Sequence, residues 1–103
     1  MTPELKAQWI AALRSGYYKQ GRRALCQKSM FGNRLYCPLG VLYEVATGIK
    51  TPYIISMPPK FQASIELDDW YVRVSVILND TYRQSFSKIA DKLEEGDTRL
   101  NIV

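Results

Sequence analysis

Apolar residues in the first fifteen positions fall at helical spacing: Leu5, Trp9 and Leu13 stand at i, i+4 and i+8, with Ile10 and Ala12 beside them, which makes one apolar stripe. Thr2 can cap, Pro3 suits the first helical position, Glu4 complements the positive end and Gly16 can close the other end. The pattern predicts a helix over Pro3 to Ser15 with Trp9 in the core. From Tyr17 to Cys37 the period changes, and Met30-Phe31-Gly32-Asn33 marks a turn between two short extended segments. If Ser29 faces Arg34 across a four-residue loop, Cys26 stands opposite Cys37.

Pro38 then opens a short helix on Leu39, Leu42, Val45 and Ala46, ended by Gly48. Thr51 to Gln62, with Pro52, Pro58 and Pro59, reads as an irregular surface connection. Asp69 to Leu78 fits two templates. Val72, Val74, Val76 and Leu78 alternate as in a strand, whereas Trp70, Val74, Ile77 and Leu78 suit a helix that Asp68 or Asp69 would cap. Ser85 followed by Phe86, Ile89 and Leu93, with Gly96 as a stop, predicts a helix over Phe86 to Glu95 and a tail after it. The expected architecture is α+β: an N-terminal helix, a two-stranded β-hairpin, a short central helix, an irregular Pro-containing connection, and one or two C-terminal helices. A lone hairpin is marginal, so the first and last helices are expected to cover it.

The 103 residues allow one domain, since domains run to about 100 to 150 residues. The longest uncharged apolar stretches, Leu35 to Tyr43 and Thr51 to Pro59, reach nine residues, where a membrane span needs roughly 20; no membrane association is expected. Two cysteines and no histidine leave too few soft ligands for a structural zinc site. The missing histidine also removes the usual general base near neutral pH, so no catalytic residue, metal or cofactor is assigned. Cys26 and Cys37 could form a redox switch, but two reduced, half-buried thiols suit a cytosolic chain better.

The net charge of +4 is unevenly spread. Residues 1 to 34 hold seven basic side chains against Glu4, a balance of +6, and residues 66 to 97 hold eight acids against four bases, a balance of −4. Within the basic third, Arg14, Tyr17, Tyr18, Lys19, Arg22, Arg23 and Arg34 combine aromatics and cations, the mix that stacks bases, neutralises phosphates or docks an acidic protein. Asn79-Asp80 is read as turn chemistry, and Leu39-Gly40-Val41-Leu42 as a helix whose glycine lets another backbone approach, since a phosphate loop would carry more glycines and a Lys-Ser or Lys-Thr pair.

Three motifs stand in order: Trp9-x-x-Ala12-Leu13-Arg14-Ser15-Gly16-x-Tyr18-x-Gln20-Gly21, then Tyr36-Cys37-Pro38-Leu39-Gly40-Val41-Leu42, then Leu78-Asn79-Asp80 with Ser85-Phe86-x-x-Ile89-Ala90-Asp91. As a set they resemble a family of small bacteriophage and prophage proteins, from Trp9 to about Leu93, with Thr51 to Glu66 outside the likeness. Pro38 stands where that pattern commonly has a second cysteine, Tyr43 lies near another, and a glycine is frequent near Arg23. The resemblance implies a helix over Asp69 to Leu78 and a phage gene product working in the host cytoplasm. The expected function is an accessory protein, monomer or homodimer, that binds and inhibits a host bacterial protein of defence, transcription or replication. A nucleic-acid-binding module and capture of a charged nucleotide messenger are the alternatives.

Overall fold

The Thr2 hydroxyl accepts a hydrogen bond from the Leu5 amide at 3.1 Å and starts α1, Pro3–Arg14, one residue shorter than the spacing predicts because Ser15 serves as its C-cap. The computed structural model describes residues 1–96; the expected tail lies outside the described residues. After α1 come β1 (Cys26–Lys28), β2 (Arg34–Tyr36), α2 (Pro38–Thr47), α3 (Pro59–Ser64), α4 (Asp69–Val76), a π-helical turn over Ile77–Thr81, and α5 (Phe86–Glu95). The fold is α+β, as the pattern predicts.

α1 packs on both α2 and α5. Trp9, Val41, Leu42, Ile89 and Leu93 are fully buried between them, and the Trp9 indole donates to the Pro38 carbonyl at 2.8 Å, giving the one polar atom of a large apolar side chain its partner. The hairpin packs on α2, with which β2 is nearly continuous, rather than under α1 and α5. Adjacency in the chain decides this: Pro38 through Leu42 are all buried, so the start of α2 offers apolar surface next to the strand it follows. A Cβ on Gly40 would overlap the Leu25 carbonyl oxygen, so the backbone of α2 sits directly on the residue that enters β1.

The hairpin register differs from the expected one by a residue. Cys26 pairs with Tyr36, Gln27 with Leu35 and Lys28 with Arg34, so Cys26 is not opposite Cys37. Ser29 N–H donates to the Asn33 carbonyl at 2.8 Å and Gly32 N–H to the Ser29 carbonyl at 2.9 Å. Gly32 takes φ +84°, a left-handed conformation that closes a three-residue loop instead of four. Both cysteines are buried and free.

The connection is less irregular and less superficial than its prolines imply. Thr51 is fully buried, its hydroxyl donating to the Gly40 carbonyl at 2.6 Å, and Met57 joins the core. Extended Pro58 precedes Pro59 at the first position of α3; a proline pair in that place starts a helix rather than forbidding one. Asp69 to Val76 is helical, started by the Asp68 carboxylate on the Trp70 amide at 2.8 Å. The local cap prevails over the alternating valines. The Ser85 hydroxyl caps α5 on the Lys88 amide at 3.3 Å.

Candidate docking groove beside the hairpin

Gly16, at φ +77°, turns the chain out of α1, and residues 19 to 21 then run beside β2. Tyr36 N–H donates to the Lys19 carbonyl and Gly21 N–H to the Tyr36 carbonyl, both at 2.8 Å, so this segment acts as a short parallel edge to the hairpin. A Cβ on Gly21 would lie 2.7 Å from the Leu35 Cβ, which makes glycine necessary for that approach. Tyr18 packs edge-on against Tyr36 (4.9 Å between centroids) and Tyr17 (5.0 Å), whereas the Gln20 side chain donates to Asn79 Oδ1 of the π-helical turn.

A groove of about 270 Å³ results, lined by Tyr17, Tyr18, Lys19, Gly32, Asn33, Arg34, Tyr36 and Lys50. The Tyr36 hydroxyl donates to Glu44 Oε1 at 2.8 Å. Burial, reinforced by Glu44, raises the pKa of both Tyr18 and Tyr36, so the groove floor stays neutral. Arg34 is held rigidly: it donates to the Thr51 carbonyl at 2.5 Å and the Cys26 sulfur at 3.7 Å, and lies over the Tyr53 ring at 4.5 Å. Lys19, Lys50 and, next to the turn, Lys28 are exposed and form no ion pair among the described residues. Beyond the groove the turn carries Met30 and Phe31, 91% and 85% exposed.

Four of the seven residues singled out from sequence, Tyr17, Tyr18, Lys19 and Arg34, therefore share one groove; the other three do not. Arg14 is bound by the late carboxylates, at 2.7 Å from Asp91 and 3.1 Å from Glu94, which raise its pKa while Arg14 lowers that of Glu94. Arg22 donates through Nε to the Asn79 carbonyl at 3.1 Å, and the Arg23 amide to Asp80 Oδ1 at 3.0 Å. Lys50, Met30 and Phe31 were not singled out. Two large apolar residues at a turn, where polar ones are usual, were the legible signal for the last two.

Asn79-Asp80 is a structural clamp. Asn79 is fully buried; its Oδ1 accepts from Gln20 Nε2 at 2.7 Å, and its Nδ2 donates to the Gly21 carbonyl at 2.8 Å and to Asp80 Oδ1 at 2.9 Å. The third sequence motif thus grips the end of the first, while Trp9 joins the first to the second. Among the described residues no three His, Cys, Asp or Glu side chains gather as a metal ion would need, and no helix is long and apolar enough to cross a membrane. No curated protein and no solved structure matches the chain. Residues 1–52, which build α1, the hairpin, α2 and the groove between them, match the model of the family described as a domain of unknown function, DUF8296; this is half of the chain, and the chain belongs to that family.

Proposed function

We propose that this chain is a phage accessory protein that acts by binding rather than catalysis, docking onto a protein of the bacterial host in the host cytoplasm and inhibiting it. The phage context rests on the likeness of the three motifs. The observation that carries the docking reading is the hairpin tip. Met30 and Phe31 stand almost wholly in solvent on a turn fixed by two backbone hydrogen bonds, so little ordering remains to oppose binding. Burying each would contribute about 1.5 to 3 kcal/mol. Lys19, Lys28 and Lys50 flank the tip, so the complementary surface is an apolar depression rimmed by carboxylates.

Affinity capture from host lysate with the wild-type chain and with Phe31→Glu, at matched folded fractions, tests this reading. A host protein retained by the wild type and lost by the variant supports it; equal retention, or no retention at micromolar concentration, removes it. A second reading draws on the same groove, because exposed Tyr17 beside Lys19 and Lys50 suits a base and its phosphates, as a nucleotide messenger or a nucleic acid would present them. Its mark is salt dependence: duplex affinity would fall by roughly 0.9 log unit per log unit of salt for each phosphate neutralised.

A further inference from the structure

A second cavity, of about 310 Å³, lies away from the groove, between the entry to β1, the start of α2, the Pro-containing connection and α4. Leu25, Leu39, Met57 and Val72 give it apolar walls, and Ile55 and Val76 stand exposed at its rim. Its volume equals roughly ten waters, at the small end of the range of ligand sites, which are mostly apolar with a few fixed polar groups.

The polar groups sort into committed and uncommitted. Gln62 Nε2 is used by the Leu67 carbonyl and Asp69. Asp80 Oδ1 already accepts from the Arg23 amide and Asn79 Nδ2. Burial pushes the Cys37 thiol up to about 11, so it lines the wall as a neutral group. Two groups remain. The Ser75 hydroxyl is fully buried and has no hydrogen-bond partner among the described residues, although an unmade bond of this kind costs about 1 to 3 kcal/mol. The Arg23 guanidinium, at the exposed edge of the cavity, makes no hydrogen bond or ion pair among the described residues.

We infer that this cavity binds a small aromatic carboxylic acid carrying one ring N–H or hydroxyl, with its apolar body inside, that polar atom on the Ser75 hydroxyl and its carboxylate on Arg23. Each recognition element answers one observation: the ring answers the apolar walls, the ring N–H or hydroxyl answers the orphan hydroxyl, and the anion answers the unpaired cation. A cationic ligand would meet the Arg23 charge at the exposed edge, where the Asp80 carboxylate is held in place by the Arg23 amide and Asn79 Nδ2. This inference is independent of the docking reading, since the hairpin tip and its groove share no lining residue with the cavity.

The test uses three probes of one shape on the full chain, followed by amide chemical shifts: indole-3-acetate, 1-naphthaleneacetate, which lacks the N–H, and tryptamine, which replaces the carboxylate with an ammonium. Indole-3-acetate is expected to bind with a Kd below about 1 mM, shifting the amides of Leu39, Ser75 and Val76. The naphthyl acid is expected to bind about tenfold more weakly, and tryptamine not measurably. Ser75→Ala, which removes a hydroxyl that bonds nothing and so leaves the fold intact, is expected to abolish the preference for the indole acid over the naphthyl acid. Arg23→Gln is expected to weaken both acids alike. Absence of shifts at about 5 mM of any probe, shifts confined to the groove, equal binding of acid and amine, or a preference that survives Ser75→Ala would each overturn the assignment.

Discussion

Replacing Asn79 by alanine removes three hydrogen bonds from a fully buried side chain, but the partners lose unequally. Gln20 Nε2 keeps the Gln84 carbonyl at 2.7 Å, and Asp80 keeps the Arg23 amide. The Gly21 carbonyl loses its side-chain donor. Leaving that carbonyl unsatisfied costs about 1 to 3 kcal/mol, and the lost Gln20 bond adds about 1 kcal/mol, so Asn79→Ala is expected to destabilise by about 2 to 4 kcal/mol. At roughly 4 to 8 °C per kcal/mol for a domain of this size, Tm falls by about 8 to 32 °C. Asn79→Asp keeps the acceptor for Gln20 but turns a carboxylate on the Gly21 carbonyl and Asp80. It is expected to be worse than alanine at neutral pH and to recover as acid protonates the introduced carboxyl. Thermal denaturation followed by circular dichroism reads both, and a double-mutant cycle with Gln20→Ala is expected to give a coupling of about 1 kcal/mol. A fall in Tm below about 2 °C, or zero coupling, would refute the clamp.

Gly40→Ala places a methyl group on the Leu25 carbonyl; since backbone faces backbone there, the loss is expected to exceed the usual overpacking penalty of about 1 to 3 kcal/mol, read as a lowered denaturant midpoint or an unfolded chain. Arg23 holds φ +66°, so Arg23→Gly is expected to stabilise by about 0.5 to 1 kcal/mol in the same assay, and a loss would show that the arginine side chain contributes to the fold. Glu94 is held below its ordinary 4.5, first by the hydrogen bond from Arg14 and then by its charge. A depressed carboxyl stabilises above its unfolded pKa and loses that contribution as pH falls through the folded one. Arg14→Met is therefore expected to lower Tm at about pH 7 and to leave it unchanged at about pH 2, an effect that weakens with salt.

The elements legible in the sequence are those decided within a turn of chain. Thr2, Asp68 and Ser85 each supply the cap their type promises, and the stripe on α1 buries Trp9. The α4 segment was readable both ways because its valines satisfy alternation as well as helical spacing; the cap from Asp68, a local interaction, decided it. The hairpin register turned on whether Gly32 took a left-handed conformation, which shortens the loop by one residue and changes every pairing. The α3 start was hidden by reading Pro58 and Pro59 as breakers rather than as the entry to a helix.

The candidate site was legible only in part, because contiguity in sequence is not contiguity on a surface. Tyr17 to Arg23 reads as one basic and aromatic run, yet its residues divide between the groove and the π-helical turn once the segment lies extended beside β2. Arg14 was lost to carboxylates on α5 that no local rule could assign to it. Lys50 enters the groove from beyond α2, where the left-handed Gly48 turns the chain back. The motifs themselves proved to be joints of the fold: Trp9 on Pro38, Gly40 on Leu25, and Gln20 and Gly21 on Asn79. In the proposed reading, the partner meets the hairpin tip and its groove.

Lysine acetylation footprinting, with and without the captured host protein, tests that assignment most directly. Lys19, Lys28 and Lys50 are expected to lose reactivity in the complex, while Lys60 and Lys88, exposed elsewhere, keep it. Protection of Lys60 or Lys88 with Lys19, Lys28 and Lys50 still reactive would place the interface on another face and contradict the account.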